Sequence, residues 1–402
     1  MLRQALAVSS MNLASLRARQ GAPAVMTLCM ASVVFVFTAL FAMASGLQHT
    51  VASTGQPDRA LLLGAGSNAE INGSITREQA AVIRNLPGIA QAAVPGRGRG
   101  RERERAPLVT AEIYATANLP HRDGSGAASL PLRGIANEAF MVRPEVRMIA
   151  GRRAHPGRFE MIVGRGAARV FAGLDIGSTI AIKGAHWRVV GHFQSAGSAS
   201  ESEAWVDVDV LANVFQRGPY LQSVTLRLIS PDSLAALRDA VTADRRLANT
   251  VFRESDFYGM QAAAATQMVR TVGVVAGTIM ALGAMFSAMN ALYAGVSTRT
   301  REIATLKALG FAGSAVVASV MVESLALAGL GGALGACVGW LLFDGVQMST
   351  LGAAFGEVAF TFSVTPRLFA VAIVIALLFG ALGGLPPALR AARLHVVAGL
   401  RV

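Results

Sequence analysis

The densest cluster of functional side chains lies in Thr298-Arg-Thr-Arg-Glu-Ile-Ala-Thr-Leu-Lys-Ala-Leu-Gly-Phe311. Arg299, Arg301, Glu302 and Lys307 carry charge there. Ile303, Leu306 and Leu309 recur at helical spacing, and Gly310 ends the run. A rigid amphipathic helix of this kind can present a face to a partner. Bond-breaking candidates are scattered instead. Histidines stand at 49, 121, 155, 186, 192 and 395, without a His-x-x-x-His spacing, and there is no Cys-x-x-Cys pair. No metal site is expected from such a set. No Gly-x-Ser-x-Gly elbow occurs, and no Gly-x-x-x-x-Gly-Lys-Ser/Thr loop that would cradle nucleotide phosphates. The expectation is a non-catalytic chain without a cofactor of its own, so that any nucleotide is bound by another chain.

The elements that position the charged segment follow from composition. Only 15% of the 402 residues are charged and the mean hydropathy is +0.49, against about 25% charge in soluble domains. Charge-free stretches run from Gln20 to Pro57, Thr271 to Thr298 and Leu368 to Leu389, and Ala308 to Phe343 is broken only by Glu323. Each exceeds the roughly 20 apolar residues that cross a bilayer core. The fold class expected is a multi-pass α-helical membrane protein with four transmembrane helices and a large α+β extracytoplasmic domain between the first two. The net charge of +12 is almost all arginine, with lysine only at Lys183 and Lys307. In a multi-spanning chain this reflects topology and base composition rather than nucleic acid binding. Cys29 and Cys337 fall inside apolar runs and give no disulfide framework.

The boundaries read as follows: an amphipathic N-terminal segment 1–21, first span 22–47, soluble domain 48–264, second span 265–296, connecting segment 297–313, third span 314–343, loop 344–366, fourth span 367–389 and tail 390–402. The first apolar run ends in Ala42-Met-Ala44, as a cleaved signal would, but is well beyond the 7–15 residues of a signal core, so an uncleaved helix is favoured. Segment 1–21 is read as a helix lying on the membrane, with a polar tail as the plainer alternative. The Arg-rich run 97–105 reads as a solvated loop, with a partner-binding or lipid-binding patch as the minority reading. In the soluble domain, Ser74 to Gly88 opens with hydroxyl residues and shows helical spacing. Thr179–Ile182 and Trp187–Val190 flank a hairpin turn, Ser223–Ile229 alternates as a strand, and Ser233–Leu247 reads as a helix.

Short flanks set the orientation. Arg17 and Arg19, then Arg299, Arg301 and Lys307, then Arg390, Arg393 and Arg401 place both termini and the segment between spans two and three in the cytoplasm. Two polar residues fall within spans, Asn290 and Glu323. Glu323 is either paired and functional or close enough to the interface to stay hydrated. Gly331, Gly335 and Gly339, and Gly380 and Gly384, repeat at four-residue spacing and allow close helix packing, within one chain or between two.

With those residues in hand, Thr298–Phe311 resembles the Arg-x-Arg-Glu-Ile-Gly-x-Leu-Lys-Ala-Leu-Gly signature of the MacB/FtsX-type permeases of ABC transporters. The match covers Arg299, Arg301, Glu302, Ile303, Leu306, Lys307, Ala308, Leu309 and Gly310, and departs at Thr298 and Ala304, where Glu and Gly are usual. Val322–Gly332 resembles the family's third helix, and Pro387–Ala392 with Leu400-Arg401 its tail, where Val396 and Gly399 replace the usual Pro and Ala. Gly151-Arg152, Val163–Ala168, Gly173–Gly177 and Trp187–Gly191 resemble its periplasmic core domain. The resemblance implies that the segment is cytoplasmic and couples to an ABC ATPase subunit. It also implies a homodimer or heterodimer with a similar permease in a bacterial inner membrane, work on a substrate at the periplasmic side, and efflux or lipoprotein export as duties. A periplasmic adaptor and membrane lipid are further partners. A solvated basic loop that only fixes topology is the bland reading of 297–313. A membrane-anchored sensor is the alternative function, but it would carry a cytoplasmic signalling domain.

Overall fold

The computed structural model describes residues 21–94, 104–124, 126–352 and 356–396. Segment 1–20, most of the Arg-rich run, and Gly399, Leu400 and Arg401 lie outside the described residues. The main helices are α1 (Gly21–Ala52), α2 (Arg77–Ile83), α3 (Ser233–Ala243), α4 (Glu254–Thr298), α5 (Thr300–Ala308), α6 (Gly313–Phe343) and α7 (Pro366–Ala392). The main strands are β1 (Arg59–Gly64), β2 (Val109–Pro120), β3 (Ala127–Ile135), β4 (Arg147–Gly151), β5 (Glu160–Gly164), β6 (Thr179–Ile182), β7 (Ala185–Gln194), β8 (Ala204–Asp207), β9 (Ser223–Arg227) and β10 (Asn249–Arg253). A hairpin, β11 (Gln347–Gly352) and β12 (Gly356–Thr361), follows α6. Two compact units result: Met1–Ser45 with Gln267–Val346 and Phe362–Val402, and Gly46–Thr266 with Gln347–Thr361.

The first unit is helical. Among the described residues, α1, α4, α6 and α7 are long and apolar enough to cross a membrane. In lipid, apolar burial gives helices no reason to associate, so contact depends on how closely backbones approach. Gly331, Gly335 and Gly339 face α1. A Cβ on Gly331 would stand 2.6 Å from the Thr27 carbonyl, one on Gly339 2.9 Å from the Thr38 side chain, and one on Gly335 would collide with the Ala31 carbonyl. Gly380 and Gly384 face α6 instead. A Cβ on Gly384 would lie 2.6 Å from Ser324 Oγ, which itself donates to the Gly380 carbonyl at 2.6 Å. The four-residue glycine repeats thus sit at helix contacts within one chain.

The second unit is built on a ten-stranded mixed sheet with the order β10-β1-β9-β2-β3-β8-β5-β7-β4, β6 adding to β7. Local signals in the sequence explain several pieces. Thr76 caps α2, its hydroxyl accepting from the Gln79 amide while the Gln79 side chain returns to the Thr76 amide. The β6–β7 hairpin turns on Lys183-Gly184, both with positive φ, as a two-residue loop requires. That turn is two residues shorter than the sequence suggested, because Ala185 and His186 pair with Ile182 and Ala181. α4 begins at Glu254, so at about 1.5 Å per residue its 45 residues span about 68 Å, more than twice a bilayer core. The loop after the third span contributes to this unit: Val358 and Phe360 of β12 are buried, and Ser202 Oγ accepts from the Ala359 amide at 2.8 Å.

A buried ionic cluster runs through this unit. Arg133 on β3 reaches Glu70 (2.9 Å), Glu112 (2.7 Å) and Glu203 (2.7 Å). Arg143 pairs with Glu112, and Arg59 bridges Glu145 (2.6 Å) and Glu254 (2.5 Å). Tyr258, Ser223 and Trp205 donate to the same carboxylates. Burial works against the Glu70 carboxylate, but the charge and hydrogen bonds of Arg133, aided by Arg143, bring its pKa from 4.5 down to about 2. Burial also opposes the charged forms of Arg133 and Arg143. Glu203 and Glu70 outweigh it for Arg133, and Glu112 and Glu254 for Arg143, so both guanidinium pKa values rise.

Two outcomes are expected. Because the folded pKa of Glu70 is depressed, its contribution is complete above pH 4.5 and is lost as pH falls towards 2. That contribution is on the order of 3 kcal/mol. In a Trp340→Phe background, fluorescence of Trp187 and Trp205 should show a shallower acid transition for Glu70→Gln than for the unaltered glutamate. An identical transition would dismiss the assignment. Separately, Gly335→Leu should lower resistance of the purified chain to unfolding in dodecyl sulfate by about 1–3 kcal/mol. Gly295→Leu, whose Cβ would meet nothing within 4 Å, should not.

Candidate coupling site

The candidate site centres on α5. Its Gly310 takes φ 92°, the Gly310 amide bonds the Lys307 carbonyl (3.1 Å) and the Phe311 amide bonds the Leu306 carbonyl (3.1 Å). That pairing is the Schellman stop, which glycine favours because it has no Cβ. The helix is two-faced. Ile303 and Ala304 are buried, Ile303 packing with Val296, Val316, Val320, Ala388 and Ala391. Arg301, Glu302, Thr305, Ala308 and Leu309 are exposed, Leu309 at 72%. Leu306 is half-buried and lines a cavity of about 30 Å³ with Arg299, Glu302 and Glu323.

The apolar positions of the segment therefore do not act together. Ile303, which recurs with Leu306 and Leu309 at helical spacing, packs on its own chain. Helical spacing identifies residues on neighbouring faces; it does not say whether the surface opposite is another subunit or the next span. Leu309, which caps the end of α5, is a large apolar side chain left exposed.

The charges divide in the same way. Arg299 has a side chain only 8% exposed; its guanidinium meets Glu302 at 3.1 Å and Glu323 of α6 at 3.3 Å. Glu323, 13% exposed, is thereby an ion-paired group. Lys307 turns inward, its Nζ donating to the carbonyls of Ala392 (2.8 Å) and Leu394 (2.6 Å) at the end of α7. Sequence reasoning placed Lys307 among ATPase contacts and missed these acceptors, although a lysine beside a helix C-terminus is a recurrent arrangement. Asn290 is exposed on α4. Among the described residues, no group of three or more His, Cys, Asp or Glu could hold a metal.

Two family descriptions match this architecture: the MacB-like periplasmic core domain over residues 24–244, and the FtsX-like permease C-terminal over residues 274–396. The first alone covers more than half of the 402 residues. The chain belongs to the MacB/FtsX family of ABC transporter permeases. It is similar to the macrolide export ATP-binding/permease protein MacB of Shewanella oneidensis, at 26% identity over 84% of this chain and 55% of that protein. It is also similar to an uncharacterised ABC transporter permease of Methanocaldococcus jannaschii, at 23% identity over 61% of this chain and 62% of that one. A solved structure, the periplasmic region of MacB from Actinobacillus actinomycetemcomitans, aligns with a TM-score of 0.37 and 13% identity over 52% of this chain and 94% of that one. The chain spans about a third to a little over half of the length of MacB relatives it matches, 35% and 55% in two cases. In this permease, α5, Glu323 and all five packing glycines fall within the FtsX-like match.

The Arg299–Glu323 pair gives a quantitative expectation. Glu323→Leu leaves Arg299 largely buried with Glu302 as its remaining carboxylate partner among the named pairs. Stability in dodecyl sulfate should fall by about 1–3 kcal/mol. Adding Arg299→Met should recover much of that loss. A double variant as unstable as the sum of the single changes would show that the two side chains are not coupled.

Proposed function

We propose that this chain is the membrane-spanning permease of an ABC transporter that couples ATP hydrolysis by an ATP-binding subunit to movement at the outer face of the membrane. The observation that carries this is the division of α5. One face is fixed to α6 and α7 through Ile303, Arg299–Glu323 and Lys307, and the other presents Arg301, Glu302, Thr305 and exposed Leu309. A short helix held in this way can take force from a partner and pass it to the spans it is fixed to.

The positive flanks support a cytoplasmic position for α5 and both termini, in a bacterial inner membrane, with the α+β domain and the β11–β12 hairpin outside. An ATP-driven machine with so large an outer domain suits work on a substrate beyond the bilayer. Efflux of a small molecule or peptide, or handover of a lipoprotein or lipid, are the duties that fit. Pairing with a second copy or a similar permease, and attachment of a periplasmic adaptor, belong to the same proposal.

The test is direct. The chain is purified from its native membrane, the ABC ATPase recovered with it is identified, and ATP turnover is measured in proteoliposomes. Leu309→Asp should insert normally, because the change lies outside the apolar spans. It should weaken ATPase binding about tenfold or more, since a carboxylate placed in a desolvated contact costs several kcal/mol. Full binding and turnover with Leu309→Asp, or recovery of no ATPase with the unaltered chain, would end this reading.

A further inference from the structure

α7 carries Pro386 and Pro387 inside its last turns. Neither has an amide hydrogen, so the carbonyls of Leu382 and Gly383 lose the donors that would tie the end of the helix to its body. Beyond the prolines, Ala388 and Ala391 are fully buried against Ile303 of α5, Val296 of α4, and Val316 and Val320 of α6. The Arg390 guanidinium lies 5.4 Å from the ring centre of Tyr293 on α4. The Ala392 carbonyl is among the last four of the helix, which have no amide of their own helix to accept from. Lys307 supplies the donor to it, and to Leu394. The end of α7 thus lacks two of the hydrogen bonds that would join it to the body of its own helix, and it is tied to α5 by Lys307.

We propose that Lys307 is a positioning residue that makes the end of the fourth helix, beyond Pro386-Pro387, move with the connecting helix, so that the proline pair is the swivel through which α5 acts on α7. This rests on the reading of α5 as the ATPase-docking helix, and it assigns Lys307 to transmission and not to docking. Leu309 lies on the exposed side and Lys307 on the inner side, so the two functions are separable by mutation.

Hydrogen exchange of the full chain in nanodiscs tests the tie without any ATPase. Lys307→Met should speed exchange of amides 389–394 by roughly ten- to a hundredfold, as loss of charge-assisted hydrogen bonds would, and Lys307→Arg should largely restore it. Unchanged exchange overturns the proposal. In proteoliposomes with the co-purified ATPase, Lys307→Met should keep the ATPase bound while stimulation of ATP turnover falls roughly three- to thirtyfold, the range seen for residues within a coupled network. Loss of binding together with stimulation would make Lys307 a docking residue and overturn it, as would full stimulation despite faster exchange. If Lys307→Met does not accumulate in membranes, Pro386→Ala with Pro387→Ala decides. That chain regains both amides, and it should bind the ATPase normally but stimulate it less; normal stimulation overturns the swivel. Failure of the unaltered chain to recruit any ATPase rejects the docking reading instead, while exchange still reports whether Lys307 holds α7.

Discussion

Helices in a hydrocarbon core gain nothing by hiding apolar surface from one another, because the lipid is as apolar as they are. Association must come from dispersion at close range and from polar groups that have no alternative partner. Both appear in the helical unit. Gly331, Gly335 and Gly339 bring α6 against α1, and Gly380 and Gly384 bring α7 against α6 closely enough for the Ser324 hydroxyl to bond a backbone carbonyl. Where the spans end, Arg299 with Glu323, and Lys307 with the last carbonyls of α7, take over. Small residues set distance, and charges set register.

That division bears on the proposed role of α5 in transmission. A solvated loop would absorb a push by changing its own conformation. α5 has a fixed stop at Gly310, a buried face, an ion pair near one end and hydrogen bonds from Lys307 to backbone carbonyls near the other. Work done on its exposed side therefore has few local degrees of freedom to enter. On the proposed reading, the two-faced arrangement would separate recognition from mechanics, with exposed Leu309 on one side and buried Ile303 on the other.

The sequence was most legible where signals are local. Span lengths, the Thr76 capping box and the Lys183-Gly184 turn depend on neighbours within a few residues, and periodicity or turn chemistry reveals them. The sheet order was not legible, since β1 pairs with β9 and β10 from the far end of the domain. Nor were the interior arginines. Arg59, Arg133 and Arg143 find their carboxylate partners in elements distant in sequence, so no local signal marks them as buried. At the candidate site, residue types and spacing located α5 and Glu323. The inward turn of Ile303 and Lys307 depended on how α6 and α7 return past it, and no residue near position 300 encodes that.

The position of β1 has a consequence for synthesis. β1 leaves the ribosome early but lies inside the sheet, flanked on one side by β9 and on the other by β10, which begins about 190 residues later. At elongation speeds of about 5–20 residues per second, both of its edges stay unpaired for roughly 10–40 s. Over the same interval Arg59 waits for Glu254, the first residue of α4. An exposed strand of Ala60-Leu-Leu-Leu63 invites pairing with other chains. The early half of this domain therefore carries an apolar strand with both edges open until the chain has reached the first residues of α4.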